Sequence, residues 1–201
     1  MFPRLGVLAA ILLAQIAAPP AAQAAAGVVY AFGGESHLTY RLAHPLHVTT
    51  GESDRLQGTV QVLDPAEGSL QLPLRLTTPV RSFHSGNRSR DRNMALVMQA
   101  ERHPFVELLV QQIAWRTRRP TGAGLDLVGE GTASVRIRGV TRPAVLGIRG
   151  TLRPQTLSVT ASFSVSLEAH GVERPSLMLR PVDDLVELTI EATATPANPM
   201  P

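Results

Sequence analysis

The sequence has no cysteine and no lysine, and aromatic residues make up only 4% of its 201 residues. Without cysteine the chain forms no disulfide and has no attachment point for a lipoprotein anchor. Its stability must come from a packed core, which a chain of this length can form. All 19 basic residues are arginine, but 16 acidic residues leave a net charge of only +3. That balance gives no electrostatic footprint for nucleic acid.

Long hydrophobic runs are also scarce. The longest, Leu5 to Ala18, has 14 residues, which is shorter than the roughly 20 that span a bilayer. Arg4 precedes it and Ala22-Gln23-Ala24 follows it, as in a secretory signal peptide cleaved after Ala24. We therefore expect residues 1–24 to be a signal peptide and the mature protein to be soluble, without a transmembrane segment. The expected location is the bacterial periplasm or the cell exterior.

The rest of the chain alternates apolar and polar residues with a period of two, which is typical of β-strands. The alternation is clearest in LSVTASFSVSL, Leu157 to Leu167, which would give each strand one apolar and one wetted face. The pattern predicts strands at His37–Ala43, Leu46–Thr50, Leu56–Leu63, Leu70–Leu76, Phe105–Trp115, Gly131–Arg138, Ala144–Leu152, Leu157–Leu167 and Leu185–Ala194.

One segment has helical spacing. Met94, Val97 and Met98 predict a helix over Arg90 to Ala100. The predicted fold is all-β: one domain over residues 25–195, built as a single antiparallel barrel of about eight strands with one short helix, and followed by a disordered tail at 196–201. A sandwich is the alternative architecture. A barrel of this size can hold one small ligand.

The most polar run of the chain is SGNRSRDRNM, Ser85 to Met94, which ERHPFVEL, Glu101 to Leu108, soon follows. Together they resemble a signature of the YceI-like family of secreted lipid-binding proteins, in which Thr-Gly-Asn-x-x-Arg-Asp precedes a short helix and a strand. Ser85 replaces the usual threonine. GTASVRIRGVTRPAVL, Gly131 to Leu146, is similar to a second family segment, whose specific part is Gly139 to Pro143.

A third match is FSVSLEAHGV, Phe163 to Val172, followed by VDDLVELTIEATA, Val182 to Ala194, which resembles the closing strands of the family. The resemblance extends over roughly Val28 to Ala194. It implies an extended, lipocalin-like barrel with an isoprenoid or another long amphiphilic chain in an apolar tunnel. The start of the chain follows the family pattern only loosely, with His44 at the position of an expected histidine.

Two sets of residues are candidates for contact with such a ligand. Aliphatic residues and one phenylalanine on the predicted strands would line the cavity: Val60, Val62, Leu72, Leu74, Val110, Val135, Ile137, Val159, Phe163, Leu188 and Ile190. The polar run and its helix would form the tunnel mouth: Asn87, Arg90, Asp91, Met94 and Met98.

The polar run also has a purely structural interpretation. Gly86 and Asn87 would form a tight turn, Asp91 would start the helix, and Arg90 would make a forked contact to a carboxylate or to backbone carbonyls. A nucleic-acid interpretation lacks the aromatic residues needed for stacking. The Gly139 to Pro143 segment predicts a corner between strands, with the proline ending the ladder.

The histidines and Ser85 raise two further alternatives, a metal site and a catalytic site. His44 and His47 are three positions apart, so on one strand they would point to opposite faces, and no metal ligand set is predicted. Ser85 could join Asp91 and either His84 or His103, but there is no Gly-x-Ser-x-Gly elbow. We predict no catalytic residues and no cofactor.

The favoured function is therefore non-enzymatic binding of a long apolar molecule of isoprenoid or fatty-acyl type. A secreted structural or interaction domain with a filled core is the first alternative, and a hydrolase is the second. The sequence leaves the oligomeric state open, a homodimer included.

Overall fold

The computed structural model describes residues 27–177 and 180–197. The predicted signal peptide and residues 198–201 of the predicted tail lie outside these ranges. The strands are β1 (Val28–Phe32), β2 (His37–His44), β3 (His47–Ser53), β4 (Gln57–Asp64), β5 (Ser69–Leu70), β6 (Leu74–Pro79), β7 (Phe105–Thr121), β8 (Gly124–Ile137), β9 (Val140–Arg153), β10 (Thr156–Ser166), β11 (Ser176–Leu177), β12 (Arg180–Pro181) and β13 (Leu185–Pro196). The helix α1 spans Arg88–Val97, and 3-10 turns occupy Val80–Ser82 and Glu168–His170.

The main sheet closes into an antiparallel barrel of eight strands, as predicted. β1 and β2 act as one bent strand, β3 and β4 as a second, and β5 and β6 as a third. β13 pairs with β10 on one side and with β1 and β2 on the other, which closes the ring. β11 and β12 pair with each other in a separate two-stranded antiparallel sheet.

Ser36 fixes the bend between β1 and β2. Its single hydroxyl proton lies between two acceptors, the carbonyl oxygens of Gly33 at 3.2 Å and Thr193 at 3.1 Å, and the hydroxyl oxygen accepts from the Thr193 amide at 3.1 Å. The residue is fully buried. A polar group in this position therefore binds the bend to the neighbouring strand β13.

The core follows from the alternation of the strands. In β10, Leu157, Ala161, Phe163 and Val165 are buried while Ser158, Ser162 and Ser164 are exposed. Alternate residues of a strand point to opposite faces, so the aliphatic face lines the barrel interior and the serines face solvent. The same phase holds in β13, where Val186, Leu188, Ile190, Ala192 and Ala194 are buried.

Several predicted boundaries differ from the observed ones. β1 was missed, and the strand predicted at Leu70–Leu76 is two strands, β5 and β6, separated by a cis Leu72-Pro73 peptide. β13 continues through Pro196, one residue into the predicted tail, and the Ala197 amide donates to the Val29 carbonyl at 2.8 Å.

The predicted corner at Gly139 to Pro143 is also displaced. The chain turns at Arg138 and Gly139, whose φ angles are 50° and 77°. Pro143 lies inside β9, opposite Ser134 of β8. β10 pairs only with residues 147–153 of β9, so Pro143 is on the part of the strand where its missing amide interrupts no second ladder.

Within the described residues, no helix is long and apolar enough to cross a membrane.

Candidate functional site

A cavity of about 510 Å³ occupies one end of the barrel, and we call it the upper chamber. Its walls come from β2, β3, β7, β8, β10 and β13, from α1 and the 3-10 turn before it, and from residues on either side of the β11–β12 pair. The lining side chains are mostly apolar, and the polar ones come from the hairpin turn of β2 and β3, from α1 and from Ser176. The apolar lining consists of Leu38, Tyr40, Leu42, Val80, Phe83, Met94, Val97, Met98, Val106, Ile137, Val165, Leu167, Val172, Pro175, Val182, Val186 and Leu188.

The other half of the barrel is nearly filled. Its interior retains a void of about 50 Å³, the lower chamber, whose lining is entirely apolar apart from the single indole nitrogen of Trp115. That indole Nε1 donates to the Gly68 carbonyl at 3.2 Å. The filled-core alternative therefore describes the lower half of the barrel but not the upper half.

A wider groove of about 710 Å³ lies beside the outer face of α1. Arg81, Arg92, Glu101 and Arg102 line it, with Arg81 and Glu101 paired at 3.3 Å. It is more open to solvent than the upper chamber is. Binding sites for small molecules usually enclose most of the ligand surface, so the upper chamber is the better candidate.

The eleven predicted lining residues separate into three groups. Ile137 and Leu188 line the upper chamber. Five line the lower chamber: Val60, Leu74, Val110, Val159 and Ile190. Four line neither chamber: Val62, Leu72, Val135 and Phe163. Val62, Val135 and Phe163 are buried in the core, and Leu72 packs against it half-buried.

Four of the five predicted mouth residues, Asn87, Arg90, Met94 and Met98, line the upper chamber. The fifth, Asp91, faces the outer groove instead. Met94 and Met98 also pack against the core together with Val97. The helix therefore forms part of the chamber wall.

Ser85 is the centre of the polar loop that precedes α1. Arg90 donates from Nε to the Ser85 hydroxyl at 2.8 Å and from Nη2 to the Ser85 carbonyl at 2.7 Å. The Asp91 carboxylate accepts from the Ser85 amide at 3.0 Å and from its hydroxyl. This is a forked arginine contact to a backbone carbonyl and a hydroxyl, and it fixes the loop against the first turn of the helix.

The start of the helix differs from the prediction. Asn87 is the N-cap, and its side-chain oxygen accepts from the amides of Ser89 at 3.0 Å and Arg90 at 3.1 Å. Gly86 makes the preceding turn with a φ of 76°, a backbone conformation that favours glycine. Asp91 lies within the first turn, where its negative charge suits the positive end of the helix dipole.

Tyr40 connects this loop to the chamber wall. Its ring packs against Phe83 with centroids 5.8 Å apart. Burial raises the pKa of the Tyr40 phenol above its ordinary value of 10.0, although a hydrogen bond with Ser85 and the charge of Arg90 act in the opposite direction. The phenol is therefore neutral at physiological pH and presents a polar group beside the Arg90–Ser85 contact.

The orientation of His44 and His47 differs from the one predicted for a single strand. They do not lie on opposite faces, because the chain turns at Pro45 and Leu46 and the two residues face each other across the hairpin. Their ring centroids are 5.2 Å apart, and both line the upper chamber. The Leu46 amide donates to His44 Nδ1 at 3.2 Å, so Nε2 carries the proton and donates to the Arg180 carbonyl at 3.1 Å.

Sequence patterns missed most of the upper chamber. Leu38, Tyr40 and Leu42 were assigned to a strand but not to the cavity, and the segment from Val172 to Val182 was not assigned to it at all. The alternation of β2 was the available signal for the first three. The described residues on either side of positions 178 and 179 make contacts that no local pattern encodes. Arg174 Nη1 donates to the Val182 carbonyl at 3.2 Å, and the Asp183 amide donates to the Ala43 carbonyl at 2.8 Å.

Ser85 contacts Asp91, but neither His84 nor His103 completes a catalytic grouping with them. His84 pairs with Glu52 at 3.3 Å, and none of the described histidines hydrogen-bonds Ser85. His103 lies instead beside Gly139, where a Cβ atom would be 2.7 Å from its ring. Among residues 27–177 and 180–197 there is no cluster of three or more His, Cys, Asp or Glu side chains that could hold a metal ion.

Comparison with known proteins gives a consistent fold. The family model described as the YceI-like domain matches residues 33–194. The structure of BcnA from Burkholderia cenocepacia has 20% sequence identity and a TM-score of 0.65, and the match covers 80% of this chain and 97% of that one. A polyisoprenoid binding domain from Saccharophagus degradans, implicated in plant cell wall breakdown, has 13% identity and a TM-score of 0.66, covering 85% and 99%. A Campylobacter jejuni YCEI protein has 15% identity and a TM-score of 0.57, covering 74% and 85%. No curated protein matches the chain.

Proposed function

Because this chain belongs to the YceI-like domain family, we propose that it binds a long apolar chain of isoprenoid or fatty-acyl type in the upper chamber and performs no chemistry on it. The observation that carries the proposal is the chamber itself, a cavity of about 510 Å³ with mostly apolar walls and polar residues among its exposed lining. The similar domain from Saccharophagus degradans, described as polyisoprenoid binding, supports the same class of ligand.

Burial alone supplies enough affinity for such a ligand. Each buried methylene contributes about 0.8 kcal/mol, so a chain that leaves water for the chamber needs few polar contacts. Polar groups of the rim, including Asn93, Ser89 and His47, would face the head of the ligand. The proposed binding requires no cofactor.

The proposed setting is the periplasm or the cell exterior. Residues 1–24 have the charged start, the apolar run and the small-residue cleavage site of a signal peptide. A carrier in that compartment would shield an apolar chain from water between two membranes or between a membrane and an enzyme. Fractionation of cells that express the full chain, followed by mass determination of the mature N-terminus, tests this part of the proposal.

Extraction and a matched pair of variants test the binding. Native mass spectrometry and organic extraction of the purified protein should reveal an apolar molecule or, after delipidation, uptake of prenyl alcohol and fatty-acid probes. Val165→Trp fills the upper chamber and should lower probe affinity at least tenfold. Val145→Trp adds the same bulk at an exposed position of β9 and should leave binding unchanged. A folded, empty protein that takes up no probe would overturn the proposal in favour of a structural domain.

A further inference from the structure

The two chambers share no lining residue, and β10 shows what separates them. Val165 lines the upper chamber and Ala161 the lower one. Phe163 lies between them on the same face of the strand, because alternate residues point the same way. Its side chain is 92% buried and lines neither chamber.

Two other strands repeat the arrangement. In β6, Leu76 lines the lower chamber and Val80, just beyond the strand, lines the upper one, with the buried Thr78 between them. In β8, Ile137 lines the upper chamber, and the next inward residue, the buried Val135, lines neither. We call Phe163, Thr78 and Val135 the dividing layer, and Phe163 is its largest member.

The volume of the upper chamber determines how many carbon atoms of a ligand chain it can hold. A cavity of about 150 Å³ holds one benzene molecule, or about 25 Å³ per carbon atom. At that packing the upper chamber holds about 20 carbon atoms. The lower chamber, at about 50 Å³, has space for about two more, and no residue lines both chambers.

We propose that Phe163 sets an upper limit of about 20 carbon atoms on the apolar chain that the protein buries. This inference rests on the proposed function and specifies the length of the ligand. The buried part of the ligand has about 20 carbon atoms or fewer, which for a prenyl chain is about four isoprene units. A longer chain leaves its surplus carbons outside the barrel and gains no affinity from them.

The protein contains a natural reporter for this limit. Trp115 is its only tryptophan, and it lines the lower chamber. A chain that ends above the dividing layer does not touch it, whereas a chain that passes the layer reaches its surroundings. Bromine on the terminal carbon of a fatty acid quenches tryptophan fluorescence at close range, so the reporter distinguishes the two cases directly.

The experiment uses delipidated protein and ω-bromo fatty acids of 12 to 26 carbons, with affinity measured by calorimetry and Trp115 fluorescence recorded in parallel. In the wild type, affinity should rise about fourfold per buried methylene, level off near 20 carbons, and leave Trp115 unquenched at every length. Phe163→Ala should extend the rise beyond about 22 carbons, because the lower chamber adds about two and the removed ring adds further space, and it should introduce quenching, which the unbrominated acid reverses. Phe163→Leu is the milder variant if Phe163→Ala does not fold.

Phe32→Ala is the matched control, because Phe32 lines the lower chamber only. It removes the same side chain without opening the dividing layer, so its length limit should stay that of the wild type. Quenching of Trp115 in the wild type, an uninterrupted rise beyond 24 carbons, or identical behaviour of the two folded variants would overturn the limit while leaving the proposed function intact. Failure of every chain length to bind the wild type would overturn both.

Discussion

The ring of Tyr40 lies over Gly51, its partner across the β2–β3 hairpin. A Cβ atom at Gly51 would be 2.5 Å from Tyr40 Cε1 and 2.7 Å from the phenol oxygen. Glycine is therefore required at this position so that the tyrosine can fold down against the wall of the upper chamber. The pair couples the hairpin to the loop around Ser85.

We predict that Gly51→Ala destabilises the protein by about 1–3 kcal/mol, the usual cost of overpacking, and weakens ligand binding because the Tyr40 ring must move into the chamber. Urea unfolding and probe titration measure the two effects. Gly147→Ala is the control, since Gly147 is exposed on β9 and has no atom near its missing side chain. Equal stability of the two variants would contradict the steric argument.

Arg90→Ala should cost about 1.5–3 kcal/mol of unfolding free energy, because it removes both charge-assisted hydrogen bonds to Ser85. Arg92→Ala removes the same charge two residues away, from an exposed side chain, and should stay within about 0.5 kcal/mol of the wild type. Arg90→Lys should recover little of the lost unfolding free energy, because a lysine ammonium group lacks the planar guanidinium that makes both hydrogen bonds to Ser85. If the two alanine variants unfold at the same urea concentration, the loop does not depend on this contact.

Thr78→Val should stabilise the protein. The Thr78 hydroxyl is buried and has no hydrogen-bond partner in the described part of the chain, and an unsatisfied buried polar group costs about 1–3 kcal/mol. Valine has nearly the same shape, so we expect a gain of about 1 kcal/mol in thermal or urea unfolding. Thr77→Val, on the other face of β6, is the comparison, and a loss of stability specific to Thr78→Val would point to a role for the hydroxyl.

Asp184 makes part of the stability dependent on pH. Hydrogen bonds from the Ser166 hydroxyl and from the Glu168 amide, the latter at 2.8 Å, hold the pKa of Asp184 below its ordinary value of 3.8. A carboxylate whose pKa is lower in the folded state stabilises the fold above the unfolded pKa, and this contribution disappears as pH falls through the folded pKa.

Asp184→Asn should therefore be less stable than the wild type near pH 7, and the difference should shrink as the pH falls below about 4. Unfolding midpoints measured from pH 7 to pH 2 give the comparison. Asp183→Asn removes the same charge next to it but keeps the Asp184 hydrogen bonds. A constant difference between wild type and Asp184→Asn across the range would contradict the linkage.

The sequence was most informative where one local rule acts over a long segment. Strands such as β10 were predictable because a period of two decides which side chains are buried. β1 was missed because its five residues, VVYAF, are all apolar and therefore show no alternation of polar and apolar residues. The histidine pair was misjudged because a rule for one strand was applied across the turn at Pro45 and Leu46.

No such local rule could predict how the barrel interior is divided into an upper and a lower chamber. Val60, Ile137 and Phe163 are all apolar residues on inward faces, and nothing local distinguishes the one that lines the upper chamber from the one that lines the lower chamber or the one between them. That difference depends on how the eight strands are staggered and on which large side chains meet at one level. It is therefore a property of register and volume rather than of periodicity.

The barrel is closed by β13, the last strand of the described residues. β13 pairs through Ala194 with Phe32 of β1 and along its length with β10, so closure joins segments from opposite ends of the described sequence. Pairings this distant slow folding, and no closed ring can form on a ribosome before residues near 194 have emerged. A chain shortened before Leu185 would leave β10 and the first bent strand as two unpaired edges, the arrangement that recruits other chains into aggregates.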